Sequence, residues 1–123
     1  MLNVYRAHDQ QSIVLNGSIA RDPWTRLVGL IGRKAFHGPD GMWFPKCNSI
    51  HMWMMRFPID VIFLKDLKTE GTKTFRIEKM FRALPAWKAL PVGCLTATDT
   101  LELPVGSIDQ YQLKSGEVLC IAS

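Results

Sequence analysis

Residues 61–81 read VIFLKDLKTEGTKTFRIEKMF, and no other stretch limits the possible folds of this chain so closely. VIFLKD is a β-rich run that ends in charges, and the polar LKTEGTKT carries a central glycine. VIFL and FRIEKMF should therefore pair as adjacent strands across a hairpin. IVLNGSIA contains Asn16-Gly17, a tight-turn dipeptide; CLTATDTLEL supplies another strand, and GEVLCIA closes the chain as the last. From 84 to 93, LPAWKALPVG sets two prolines and a glycine against any regular element and reads as an ordered loop or flap.

Helical signals fall in two places. In RDPWTRLVGLIGRK, Asp22 can cap and Pro23 can take the first helical position. Trp24, Leu27, Leu30 and Ile31 share one face, and Gly32 followed by Arg33 and Lys34 supplies the stop. SIDQ at 107–110 places a glutamine three residues after a serine, a capping-box pattern. The sum is a mainly β chain: an antiparallel β sandwich or barrel with one amphipathic helix at about 23–31 and one short helix at about 107–111.

With 123 residues and 47% hydrophobic content, the chain makes a single domain, 1–123, that can bury its own core. The net charge of +4 comes from Lys and Arg scattered along the chain rather than gathered in a stripe, so nucleic acid is not an expected partner. No apolar run reaches membrane-spanning length, and MLNVYRAHDQ lacks the plan of a signal peptide. The expectation is a cytoplasmic protein as the chain stands, with an envelope location reserved for a chain trimmed of its leader. Three cysteines, Cys47, Cys94 and Cys120, are an odd number in a chain that needs no disulfide framework, and they read as free thiols.

Candidate chemistry concentrates in PKCNSIHMWMMRFPID, residues 45–60. As a strand over 49–56, it would put Ser49, His51, Trp53 and Met55 on one face and Ile50, Met52, Met54 and Arg56 on the other. After the Phe57-Pro58 interruption, Asp60 and Ile62 face opposite to Ile59, Val61 and Phe63, which leaves Asp60 as the odd residue of an apolar strand start. A hydrolytic reading makes Cys47 and His51 a nucleophile and base, with Asp60 orienting the imidazole. A blander reading makes Cys47 a small hydrophobe and His51 a hydrogen-bonded core histidine. Cys47 and His51 lack the second ligand pair of a zinc signature, so no metal or other cofactor is expected. Arg56 either pairs with Asp60 at the kink or holds an anionic ligand between Trp53, Trp87 and Trp43. His8 and His37 sit in polar, turn-like surroundings and read as surface residues.

ARDPWTRLVGLIGRK, GMWF, CNSIHMWMMRFPIDVIFL, ALPAWKALP and LELPVGS, in that order, resemble the DUF192 family of bacteria and archaea over about residues 12–119. The resemblance implies a compact, mostly β domain with its helix at 23–31, and no particular activity. It also singles out Arg26, His51, Asp60 and Glu102 among polar residues, with Arg26 able to pair with either acid. The leading expectation is thus a small binding or accessory domain for a small polar or anionic ligand, with Trp53, Arg56, Trp87, Glu102 and Arg26 as ligand-binding residues. The alternatives are a hydrolase using His51 with Asp60 or Cys47, and a protein-interaction module that presents Trp87 on the 84–93 loop.

Overall fold

The computed structural model describes residues 2–19, 41–50, 57–85 and 92–122. Among them run strands β1 (Leu2–Arg6), β2 (Ser12–Ile19), β3 (Met42–Phe44), β4 (Ser49–Ile50), β5 (Ile59–Asp66), β6 (Lys73–Leu84), β7 (Val92–Gly93), β8 (Asp99–Pro104) and β9 (Val118–Ala122), with helix α1 (Ser107–Gln110) before β9. The expected helix over 23–31 lies outside the described residues.

Of the two architectures left open by the sequence, the barrel forms. Seven strands close in the order β1-β2-β3-β8-β5-β6-β9, and β9 pairs with β1 to complete the ring. A ring of purely antiparallel neighbours needs an even number of strands, so an odd ring must contain a parallel pair. That pair is β2 with β3, where Ser18 faces Met42 and Ile19 faces Trp43. The expected hairpin is β5 with β6, in antiparallel register from Asp66↔Phe75 to Ile59↔Leu84.

Alternation along the strands sorts the apolar residues into two layers. Ile62 and Leu64 of β5, Leu101 and Leu103 of β8, Trp43 of β3 and Phe75 and Ile77 of β6 fill the barrel interior. Their immediate neighbours Ile59, Val61, Phe63, Met42 and Phe44 point outward, where Ile50, Phe57 and Leu84 cover them. Strand β5 is consequently buried on both faces from Ile59 to Leu64, which is why its stretch 61–64 reads as a continuous apolar run instead of an alternating one. Full burial of each such Ile or Phe is worth about 1.5–3 kcal/mol, so this strand anchors both layers.

Asn16-Gly17 does not turn the chain. Both residues lie within β2, and the ladder to β1 slips beside them, from Leu2↔Gly17 to Val4↔Val14. A Cβ at Gly17 would come within 2.6 Å of Val14 Cγ1, so glycine here permits close packing around a bulge. The capping box at Ser107 also fails to form. Gly106, at φ 94°, takes the N-cap position, and Ser107 Oγ donates back to the Pro104 carbonyl at 2.6 Å.

Candidate functional site

Among the described residues, three carboxylates from the strand walls are buried, and their surroundings differ. Asp60, 1% exposed, pairs in register with the interior residue Leu103 and so projects to the inner side of the β5–β8 wall. Its Oδ1 accepts the Ala83 N–H at 2.8 Å and its Oδ2 accepts the Ile108 N–H at 2.9 Å. Ala83 has a left-handed φ of 47° where β6 bulges against β5, between the pairs Ile59↔Leu84 and Val61↔Phe81. One carboxylate thus satisfies the backbone of that bulge and the first turn of α1, replacing the missing local cap.

Asp99 serves the far end of the barrel. Its Oδ2 accepts the Trp43 indole N–H at 2.8 Å, and the indole packs edge-on against Phe75 with ring centres 4.7 Å apart. Trp43 is therefore a core residue, only 2% exposed and packed inside the barrel. Nothing in the sequence TATDTLEL marks Asp99 out, because an aspartate before a strand reads as an ordinary turn residue.

Glu102 is 1% exposed and stands on the other side of the wall from Asp60. Its cross-strand neighbours are Met42 on β3 and Val61 on β5, both members of the outer apolar layer. Asp60 and Glu102 therefore do not share one surface. Cys47 packs at the edge of that outer layer, half-buried, with its thiol donating to the Ser49 carbonyl at 3.1 Å. Its main chain is fixed on both sides, the N–H by Thr98 O at 3.0 Å and the carbonyl by Thr100 Oγ1 at 2.7 Å. Arg26, His51, Trp53, Arg56 and Trp87 lie outside the described residues, as do positions 86–91 of the expected flap. The flap's last residues, Val92 and Gly93, form β7 and pair with Ser49 and Ile50 of β4.

Two open clefts lie elsewhere. One, of about 550 Å³, is lined by Arg6, His8, Asp9, Gln112, Lys114 and Glu117, and the other, of about 450 Å³, by residues that include Lys46, Asn48, Asp66 and Asp99. In the first, exposed His8 meets Glu117 Oε1 at 2.9 Å through Nε2. The Gln11 N–H, with help from Arg6, holds the Asp9 carboxyl below its ordinary range. Neither cleft is lined by Cys47, Asp60 or Glu102. Among the described residues no group of three or more His, Cys, Asp or Glu side chains could hold a metal ion. No helix among them is long and apolar enough to cross a membrane.

These features define the class: a small closed β barrel that carries a second apolar layer, and a buried acid, on one outer wall. Within that class the chain belongs to the DUF192 family, described as an uncharacterised ACR, whose profile matches residues 4–121. No curated protein matches it. A solved protein of unknown function from Novosphingobium aromaticivorans is similar in structure at TM-score 0.72 and 20% identity, over 96% of this chain and 81% of that one. A Sinorhizobium meliloti protein provisionally named a transcription regulator is similar at TM-score 0.67 and 21% identity, over 96% of this chain and 89% of its own. At such identities the likeness speaks for the fold alone.

Proposed function

We propose that the chain is a small binding or accessory domain whose recognition site lies on the outer wall at Glu102 and takes a small anionic ligand. The observation that supports this reading is the burial of Glu102, at 1% exposure, between Met42 and Val61. Asp60 and Asp99 hold the two ends of the barrel through backbone and indole partners, whereas Glu102 sits in the layer outside it. A buried carboxylate is retained where a cation pairs with it. Arg26 or Arg56 is the proposed partner. A guanidinium oriented by a carboxylate keeps further N–H donors in a fixed fork, suited to a carboxylate or phosphate ligand. Trp53 and Trp87 would wall the ligand, as aromatic groups do in small-molecule sites.

A hydrolytic reading draws no support from Asp60, whose two oxygens already hold backbone amides. The test is a thermal-shift panel of small carboxylates, phosphates and sulfates on the wild type and Trp87→Ala. At least one compound should raise the wild-type midpoint and leave that of Trp87→Ala unmoved. An equal shift in both proteins, or none from any compound, would remove the proposal.

A further inference from the structure

The cleft of about 450 Å³ lies at the Asp99 end of the barrel, and we infer that it binds a small free α-amino acid. Strand register sets two acids side by side in it. Leu64 pairs with Asp99, Asp66 follows Leu64 by two residues, and Asp66 itself pairs with the interior residue Phe75. Both carboxylates therefore project to the inner side of the wall, as diagonal neighbours at the end of the ladder. Asp99 is 8% exposed and its Oδ2 is taken by the Trp43 indole, which leaves Oδ1 to line the cleft with no hydrogen-bond partner among the described residues. Asp66 gives Oδ1 to the Lys68 N–H at 2.8 Å and keeps Oδ2 for the cleft. A carboxylate oxygen as deeply placed as that of Asp99 calls for a donor.

Two lysines flank these acids. Lys46 precedes Cys47, whose N–H is bound by Thr98 O at 3.0 Å, and so stands beside the start of β8. Lys68 is held beside Asp66 by the bond to its own N–H. Both lysines are exposed, both take a left-handed φ, 54° and 55°, and among the described residues neither ammonium is in an ion pair. A bare metal cation would meet two ammonium charges here, and a plain carboxylate would meet two acids. A zwitterion meets neither conflict: its ammonium donates to Asp99 Oδ1 and Asp66 Oδ2, and its carboxylate accepts from Lys46 and Lys68.

The walls also limit the ligand's side chain. Among the described residues that line the cleft only Ala97 is apolar, so there is no socket for a large apolar group, and glycine, alanine and serine are favoured over leucine or phenylalanine. Glu102 does not line this cleft, and the inference is independent of the anion site proposed on the outer wall.

The experiment titrates the isotope-labelled full chain with glycine, L-alanine and L-serine, and separately with acetate and with ethylamine, under nitrogen–proton correlation NMR. The reporter is the Trp43 indole cross-peak, identified by its absence in Trp43→Phe, because that indole is bonded to the Asp99 carboxylate. At least one of the three amino acids should shift the peak saturably, and acetate and ethylamine should each bind about tenfold more weakly or less. Asp66→Asn and the double variant Lys46→Gln with Lys68→Gln, at exposed or half-buried positions, should each weaken binding about tenfold, while Glu102→Gln should bind as the wild type does. No saturable shift with any amino acid, an equal response to ethylamine or acetate alone, unchanged binding in the Asp66 and lysine variants, or a response that Glu102→Gln removes would overturn the inference.

Discussion

Replacing Asp60 with alanine tests how the barrel is closed at the α1 end. The substitution leaves the Ala83 and Ile108 N–H groups, now held at 2.8 and 2.9 Å, without an acceptor in buried or part-buried surroundings. Each stranded donor costs about 1–3 kcal/mol, and bonds to a charged acceptor lie at the upper end of that range, so the pair is worth about 3–5 kcal/mol. That is a large share of the roughly 5–15 kcal/mol that stabilises a domain. Asp60→Asn keeps one acceptor oxygen but turns an amide donor toward the second N–H, and should cost about 2–3 kcal/mol. Urea unfolding supplies both values, and hydrogen exchange should show the Ala83 and Ile108 amides losing protection ahead of the barrel. An Asp60→Ala protein within about 1 kcal/mol of wild type would refute the reasoning. So would a variant of unchanged stability that had lost only a catalytic activity.

Trp43→Phe removes the indole N–H from the Asp99 carboxylate, a bond of 2.8 Å at the opposite end, and should cost about 1.5–3 kcal/mol by urea unfolding. The double variant with Asp99→Asn should then be less than additive, and strict additivity would argue against the bond. Gly17→Ala drives a Cβ to 2.6 Å from Val14 Cγ1 and should destabilise by about 1–3 kcal/mol; a neutral result would mean that the β1–β2 ladder shifts freely. Glu78 is held below its usual 4.5 by Arg76 Nε at 2.7 Å and then by Thr96 Oγ1 at 2.8 Å. Because its folded pKa is depressed, its stabilisation is complete above 4.5 and is lost as pH falls through the lower folded value. Glu78→Gln should therefore lie below wild type in melting temperature near neutrality and converge on it in acid, the difference being small for an ion pair whose arginine is open to solvent; a gap that stays constant with pH would contradict this.

The β5–β6 hairpin was legible in sequence because its signals are local, a β-rich run, a polar glycine-bearing link and a second run. The alternation read from Asp60 to Phe63 also holds, with Ile62 inside the barrel and Ile59, Val61 and Phe63 outside it. SIDQ forms the short helix read from it, as α1, although Gly106 and the Asp60 carboxylate serve its first turn in place of a Ser107 cap. Asn16-Gly17 misled, because packing against Leu2 and Val14 overrides its local preference for a turn. Asp60 stood out in the sequence as an acid in an apolar run, but its partners lie 23 and 48 residues away, beyond any spacing rule. Glu102 carries less of a local signal still. Its burial depends on the outer layer contributed by β3, β5 and the residues around Ile50 and Leu84.

The most direct test of the proposed recognition site is native mass spectrometry of the wild type and Glu102→Gln after incubation with a mixture of small carboxylates and phosphates. Circular dichroism would first establish that both proteins fold. The account predicts a discrete one-to-one adduct on the wild type that disappears, or falls several-fold in occupancy, in Glu102→Gln. The same adducts on both proteins, or none on either, would contradict it.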